Sequence, residues 1–270
     1  IKNYILITGS SDGIGRETAL QLAREDPKGN FIILHGRNVS RCTDAEKWLR
    51  QKAPAEAAFS CVVGDFRSLD EVEYMAEQLK MQYPRLNRIL LNAGVLNNRV
   101  ARTRHGLEET FQVNFLAHRL LMLRLAPHLR PGTRVLTTSS GAHYGPSEGD
   151  WSDFNSERTG TNGWRAYGRA TLYNVMHADE LSQLLRGTGV TVNSLGPGHL
   201  RTKLSRWSGR PVEEVRTPHF LLTSPSVEGK SGDYYDSTTR IRRKNRLVTA
   251  DNRRLLMEYA ENTLKQLGYL

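Results

Sequence analysis

The segment Tyr4–Leu20, YILITGSSDGIGRETAL, determines the fold expected for the whole sequence. Its first residues form a short apolar run, which is typical of a strand buried on both faces. Three glycines follow at Gly9, Gly13 and Gly15, and a helical pattern begins directly behind them. A glycine turn between a strand and a helix lets backbone N–H groups and the helix N-terminus face a phosphate. The segment therefore predicts a strand–turn–helix unit that binds a dinucleotide.

Strand and helix patterns alternate along the rest of the chain. Short runs rich in Ile, Leu and Val recur at residues 31–35, 59–63, 88–92, 134–138 and 190–195. Apolar residues three and four apart indicate helices between them, at residues 16–25, 43–52, 69–82 and 108–129. A seventh strand is expected at 232–236 and a last helix at 251–267. This order predicts one α/β domain over residues 1–270, a Rossmann-type doubly wound parallel sheet of about seven strands with helices on both faces.

The composition narrows the class of protein. Of 270 residues, 38% are hydrophobic and 24% are charged, and no apolar run reaches the ~18 residues of a membrane span. The two cysteines, Cys42 and Cys61, do not form a CxxC pair. They argue against a disulfide scaffold or a zinc site, so no metal is expected, and they fit a reducing, cytoplasmic location. An N-terminal anchor preceding the sequence remains an open alternative.

The chain is strongly basic, with a net charge of +10 and a pI of about 9.8. A solvated basic surface is the simplest interpretation. The run RIRRKNR at Arg240–Arg246 leaves an anionic membrane surface open as a partner. Little aromatic interleaving and no matching module argue against nucleic-acid recognition.

The end of the second predicted strand indicates which dinucleotide binds. The segment LHGRN contains Arg37 and has no Asp or Glu. A carboxylate there would bind the adenosine ribose and repel a 2′-phosphate, whereas the planar guanidinium of Arg37 can bind one. The sequence therefore favours NADP(H), with Asn38 beside Arg37 counted among the binding residues.

Seven motifs in order carry a family resemblance. They are TGSSDGIG (8–15), GDF (64–66), LNAG (91–94), QVNFLAH (112–118), LTTSS (136–140), AYGRAT (166–171) and LGPGHLRT (195–202). Together they resemble the short-chain dehydrogenase/reductase family, in particular its retinol-dehydrogenase-like and WW-domain-oxidoreductase-like branch. The resemblance spans nearly the whole chain and is more specific for fold and family than for substrate.

The resemblance implies three catalytic residues. Tyr167 would pass a proton, Ser140 would hydrogen-bond the carbonyl or alcohol oxygen, and Asn114 would hold a water in a proton relay. It also implies cofactor-binding residues, which are Gly9, Ser11, Asp12, Gly13, Ile14, Gly15, Asp65, Phe66, Asn92, Ala93, Gly94, Pro197, Gly198 and Thr202, with Tyr167 and Thr171 beside the nicotinamide ribose.

One position departs from the family motif. The family has a lysine four residues after the tyrosine, and this chain has Thr171. Residues 167 and 171 share a helix face, so a lysine there would stabilise the phenolate and lower the tyrosine pKa from its usual ~10. Thr171 supplies no charge. Arg165 and Arg169, each two residues from Tyr167, should point away from it. His143 and Lys203 are candidates to replace the lysine.

Three functions follow from this pattern. The favoured one is an NADP(H)-dependent oxidoreductase that interconverts a small or lipophilic carbonyl and alcohol, with weakened proton transfer. The alternatives are a non-redox enzyme of the same fold, such as a cyclase or isomerase, and a cofactor-binding interaction protein. The segment after Thr202 is shorter than is usual in that branch of the family, which suggests a more open pocket, a bulky substrate or a partner that completes the site. A homodimer paired through the tyrosine-bearing helix is a further expectation.

Overall fold

The computed structural model describes residues 2–158 and 160–270, and its strands form one sheet. The strand order is β3-β2-β1-β4-β5-β6-β7-β8. β1 to β7 run parallel, and β8 pairs antiparallel with β7. The strands are β1 (Asn3–Ile7), β2 (Asn30–Gly36), β3 (Ala58–Val63), β4 (Leu86–Leu91), β5 (Arg134–Thr138), β6 (Thr191–Leu195), β7 (Tyr234–Tyr235) and β8 (Ile241–Arg242). The predicted fold class is confirmed, with one short edge strand, β8, more than expected.

The helices follow the predicted alternation. They are α1 (Gly13–Glu25), α2 (Val39–Arg50), α3 (Leu69–Gln82), α4 (Glu109–Phe111), α5 (Ala117–Leu125), α6 (Gly163–Leu184), α7 (Thr217–Thr223) and α8 (Ala250–Gln266). A π-helical turn, Gln112–Leu116, joins α4 to α5. In the part of the chain that the structure describes, no helix has the length and apolar character of a membrane span.

Two apolar cores lie on opposite faces of the sheet. Successive strand residues point to opposite faces, and along β1 Leu6 enters one core while Ile5 and Ile7 enter the other. The first core includes residues of α3, α5, α6 and α8, and the second includes residues of α1 and α7. The sheet is therefore covered on both sides, as its uninterrupted apolar strands predicted.

Helix α6 is enclosed by the rest of the chain. Every residue from Gly168 to Ala178 is buried. Helix α8 packs beside α6. The Arg253 side chain of α8 bonds Glu180 of α6 at 2.8 Å, and the Tyr259 ring of α8 lies against Phe154, before α6, with centroids 4.6 Å apart. The tyrosine-bearing helix is thus an internal element over these three turns.

The two cysteines are bonded to each other. Cys42 in α2 pairs with Cys61 in β3, with their Cα atoms 6.1 Å apart. One bond between neighbouring elements is not the disulfide scaffold that the sequence argued against. The expectation that the cysteines fit a reducing location, however, loses its support, because disulfides are rare there. The proximity arises because α2 packs directly on β2 and β3.

Candidate active site

A cavity of about 650 Å³ lies at the carboxyl ends of the strands, where the strand order reverses between β1 and β4. Open α/β sheets bind ligands at such a switch point. The cavity brings together most of the predicted site residues: Gly9, Ser11, Asp12, Gly13, Ile14, Arg37, Asp65, Phe66, Asn92, Ala93, Gly94, Asn114, Ser140, Tyr167, Thr171, Pro197, Gly198 and Thr202. Gly15 and Asn38 do not line it.

The glycine turn has no room for side chains. Gly9 has a φ of +65°, and a Cβ there would lie 2.7 Å from the Ala93 Cα. A Cβ on Gly15 would lie 2.6 Å from the Gly9 carbonyl oxygen. Gly15 therefore packs α1 against the turn instead of facing the cavity. The Asp12 carboxylate caps α1 by accepting the Gly13 N–H at 2.8 Å.

A buried histidine connects the glycine turn to the catalytic region. The Nδ1 of His118 lies 3.0 Å from the Asn114 carbonyl, so this nitrogen carries the proton and Nε2 accepts from the Thr8 hydroxyl at 2.9 Å. The Thr8 oxygen in turn accepts the N–H groups of Asn92 and Ala93 at 2.7 and 3.0 Å. Burial lowers the pKa of His118 to about 4, so it remains a neutral connector. No sequence motif indicated this role.

Two arginines flank the end of β2. Arg37 is exposed and lines the cavity, and Arg41 from the first turn of α2 lines it as well. The Asn38 side chain accepts the Arg41 N–H at 3.0 Å and so caps α2, which explains why it does not face the cavity. Sequence reasoning missed Arg41, although its basic side chain four residues after Arg37 was the available signal.

Ser140 and Tyr167 meet at the other end of the cavity. Ser140 follows β5, and Tyr167 lies in the first turns of α6. Burial raises the pKa of the Tyr167 phenol, and the neighbouring Ser140 hydroxyl opposes that shift. The phenol is therefore protonated at neutral pH and can donate its proton.

Asn114 is held by the chain around it. Its side-chain Nδ2 donates to the Val95 carbonyl at 3.0 Å, and Oδ1 accepts the Val95 N–H at 2.8 Å. Its backbone carbonyl accepts the His118 proton. The Asn114 side-chain amide thus fixes the segment after β4. A relay water at this residue would donate to the second lone pair of the backbone carbonyl of Asn114, since the first lone pair accepts the His118 proton.

Position 171 carries no positive charge, and none of the four nearby basic residues replaces it. The Thr171 hydroxyl donates to the Gly168 carbonyl of its own helix at 2.8 Å. Arg165 and Arg169 point away, as predicted, and both bind Asp150, at 2.9 and 2.8 Å.

The two remaining candidates are also engaged elsewhere. Lys203 binds Asp12 at 2.9 Å, beside the glycine turn. His143 lies 2.7 Å from the Ser140 carbonyl, and burial lowers its pKa, which keeps the ring neutral. The missing lysine is therefore a true departure among the described residues.

An exposed tryptophan lies beside Tyr167 in the cavity. Trp164 is 60% exposed, lines the cavity and stacks on the Tyr167 ring with centroids 5.8 Å apart and planes 29° apart. Gly163 before it packs so closely that a Cβ would lie 1.7 Å from the Asn97 carbonyl oxygen. Three leucines also line the cavity, Leu96, Leu200 and Leu204. Sequence reasoning missed Trp164, although it stands three residues before Tyr167.

Comparisons with known proteins agree with this arrangement. Residues 3–151 match the family model described as short chain dehydrogenase. Mouse retinol dehydrogenase 14 is 34% identical, over 86% of this chain and 76% of its own length. A Streptomyces protein named for a proposed daunorubicin C-13 ketoreductase activity is 36% identical, over 86% of this chain and 82% of its own.

Solved structures share the fold. Levodione reductase superposes with a TM-score of 0.69 at 17% identity, covering 87% of this chain and 95% of its own. A proposed short chain dehydrogenase from Shigella flexneri, complexed with NADP, gives a TM-score of 0.67 at 22% identity, covering 87% and 97% of the two chains.

Proposed function

The chain belongs to the short-chain dehydrogenase/reductase family, and from that premise we propose that it is an NADPH-dependent reductase of an apolar, planar carbonyl compound. The observation that carries the proposal is one cavity that joins a glycine turn, an arginine pair and the Ser140–Tyr167 pair. The names of the ketoreductase and retinol dehydrogenase relatives agree with carbonyl–alcohol chemistry.

The cavity fits a nicotinamide dinucleotide. Gly9 and Gly13 have φ values of +65° and +55°, and the space where Gly9 would carry a side chain is already filled by Ala93. Both glycines also line the cavity, so the backbone of the turn can approach a pyrophosphate with no side chain between them. Arg37 and Arg41 would hold the 2′-phosphate of NADP(H), since no carboxylate ends β2.

The bound dinucleotide supplies the hydride that reduces the carbonyl carbon. The Ser140 hydroxyl donates a hydrogen bond to the carbonyl oxygen, which polarises the bond and orients the substrate. Tyr167 then donates its phenolic proton to the developing alkoxide. Trp164 and the leucines exclude water and pack on the apolar part of the substrate.

The electrostatics of Tyr167 favour reduction over oxidation. Its pKa is raised by burial, and Thr171 supplies no cation to counter that shift. Below the pKa the phenol is available as an acid, whereas alcohol oxidation needs the phenolate as a base. The site is therefore suited to proton donation at neutral pH.

The direct test is NADPH oxidation with a panel of aromatic ketones and aldehydes. We expect measurable turnover that Tyr167→Phe abolishes while the variant still binds NADPH. Thr171→Lys should raise turnover ten-fold or more at matched cofactor saturation, because each unit by which it lowers the tyrosine pKa is worth about 1.4 kcal/mol between protonation states.

A cofactor-binding protein with impaired catalysis is the second candidate, favoured specifically by Thr171. Such a protein would bind NADPH with normal affinity. Neither the unmodified protein nor its Thr171→Lys variant would turn over a carbonyl compound. A folded, NADPH-binding Thr171→Lys variant that gains nothing across the panel would support this candidate and count against the reductase.

A further inference from the structure

The basic run Arg240–Arg246 takes no part in the proposed active site and lies at one edge of the sheet. Residues 241–242 form β8, the last strand in the sheet, which pairs with β7. After β8 the backbone is held by Asn245, which is only 8% exposed. Its side-chain amide donates to the His143 carbonyl at 2.7 Å and accepts the Leu247 N–H at 2.9 Å. The run is therefore a fixed part of the protein surface.

The run carries positive charge that the protein itself does not neutralise. Arg242 pairs with Asp236, and Lys244 pairs with Asp179. Three further arginines are exposed and form no salt bridge within the part of the chain that the structure describes, Arg240, Arg243 and Arg246. No acidic residue interrupts the run. The three unpaired guanidinium groups create a local positive potential that attracts anions.

Two large apolar side chains lie among these charges. Ile241 is 52% exposed and Tyr144 is 50% exposed. The Tyr144 hydroxyl donates to the Arg243 carbonyl at 2.6 Å, which holds the aromatic ring beside the run. We call the run together with Tyr144 the basic face. Exposed apolar and aromatic side chains among basic residues are typical of surfaces that enter the headgroup region of a bilayer.

An open recess of about 730 Å³ lies within the basic face. It is lined by residues 144–147 and by residues 242–246, and none of these residues is acidic. Tyr144, Arg243 and Arg246 are exposed, so the recess is accessible from the solvent. A phosphate group can therefore enter it and accept hydrogen bonds from a guanidinium group.

We propose that the basic face binds the surface of an anionic bilayer. The arginines bind lipid phosphates, and Ile241 and Tyr144 pack into the headgroup region. Charge alone would suit a free phosphate or an acidic protein equally well, but neither accounts for an exposed isoleucine beside the arginines. The proposal does not depend on the proposed function, since no residue of the basic face lines the catalytic cavity.

The test is cosedimentation of the whole chain with lipid vesicles. Vesicles of one part phosphatidylserine to two parts phosphatidylcholine should bind the protein at least ten times more tightly than vesicles of phosphatidylcholine alone. Raising the salt concentration from about 0.1 M to about 0.5 M should weaken this binding at least five-fold, because salt screens exposed charges. Equal binding to the two kinds of vesicle would overturn the proposal.

Charge reversal tests whether the basic face is responsible. Arg243→Glu together with Arg246→Glu should weaken binding to the phosphatidylserine vesicles at least ten-fold, since each basic side chain near such a surface strengthens binding about five-fold. Arg85→Glu together with Arg130→Glu is the matched control, because it changes the net charge equally. Arg85 and Arg130 are also exposed and without a salt bridge in the described residues, and they lie just before β4 and β5. An equal loss in both double variants would mean general charge attraction and would overturn the proposal.

Ile241→Ser distinguishes a bilayer from other anionic partners. It should weaken vesicle binding at least three-fold and leave its salt dependence unchanged, because it removes apolar surface and no charge. Val39→Ser is the control and should change nothing, since Val39 is 70% exposed and lies outside the basic face. Vesicle binding that Ile241→Ser leaves intact, or that inorganic phosphate or polyglutamate abolishes at constant ionic strength, would assign the basic face to a soluble anion or an acidic protein and overturn the proposal.

Discussion

Arg37 is exposed and lines the cavity at the end of β2, where the sequence has no Asp or Glu. We expect NADPH to bind at least ten times more tightly than NADH. Arg37→Ala should weaken NADPH binding by about 1.5–3 kcal/mol, the scale of charge-assisted hydrogen bonds, and leave NADH binding almost unchanged. Calorimetric titration measures both. Arg50→Ala is the control, since Arg50 is also exposed, pairs with Glu46 and does not line the cavity. Equal affinities for the two cofactors would contradict the prediction.

The Tyr167 pKa sets the pH dependence of the two reaction directions. Because that pKa is raised, the acid form persists through neutral pH and is lost only above the ordinary value of about 10. Reduction should therefore be independent of Tyr167 ionisation between pH 6 and 9, while alcohol oxidation should keep rising beyond pH 9. Initial rates across this range check the prediction. An oxidation rate that levels off near pH 8 would mean that a cation already lowers the tyrosine pKa.

At the residue scale, the sequence predicts groups that recur at fixed positions in a motif. The glycine turn, Arg37, Ser140 and Tyr167 all meet in the cavity as expected. Residues whose role depends on a contact with another element of the fold were missed. The bridging role of His118 depends on contacts between separate elements, and no spacing along one element reveals it.

The N-terminus of α6 positions the aromatic wall of the cavity. Gly163 packs against the segment after β4, so Trp164 is presented to the cavity in the next position. Trp164→Ala should raise KM for a planar aromatic ketone about five- to twenty-fold, because stacking area is lost, while the NADPH Kd stays constant. Trp207→Ala is the matched control, since Trp207 is also 60% exposed but does not line the cavity. Equal KM changes in the two variants would contradict a stacking role.

Element positions were predictable to within a few residues where periodicity was clear. Helix α3 spans the predicted residues 69–82, and β5 spans the predicted 134–138. The long helical pattern at 108–129 is divided by the π-helical turn, which apolar spacing alone does not show. The elements α7 and β8 were missed because each is too short to show a pattern. Helix α7 packs against the distant elements α1 and β5, and the two residues of β8 pair with the equally short β7 just before it.

The whole molecule limits how two copies can pair. The expected dimer through the tyrosine-bearing helix would need a free face on α6, but residues 168–178 are buried and α8 packs beside them. We therefore expect a monomer of 30.5 kDa at micromolar concentration. Light scattering coupled to size exclusion measures this mass. A dimer that persists on dilution would require α8 to be displaced or another surface to pair.

The segment after β6 that contains Thr202 and Lys203 contacts the glycine turn, although the two are far apart in sequence. A Cβ on Gly13 would lie 3.3 Å from the Thr202 methyl group, and Lys203 binds Asp12 at 2.9 Å. This ion pair connects the loop that carries Thr202 to the turn where we propose that the pyrophosphate binds. We expect product dinucleotide to leave somewhat faster at high ionic strength, with a small effect because the Lys203 side chain is 62% exposed and salt screens the pair. The chemical step that we propose at Tyr167 should not share this salt dependence.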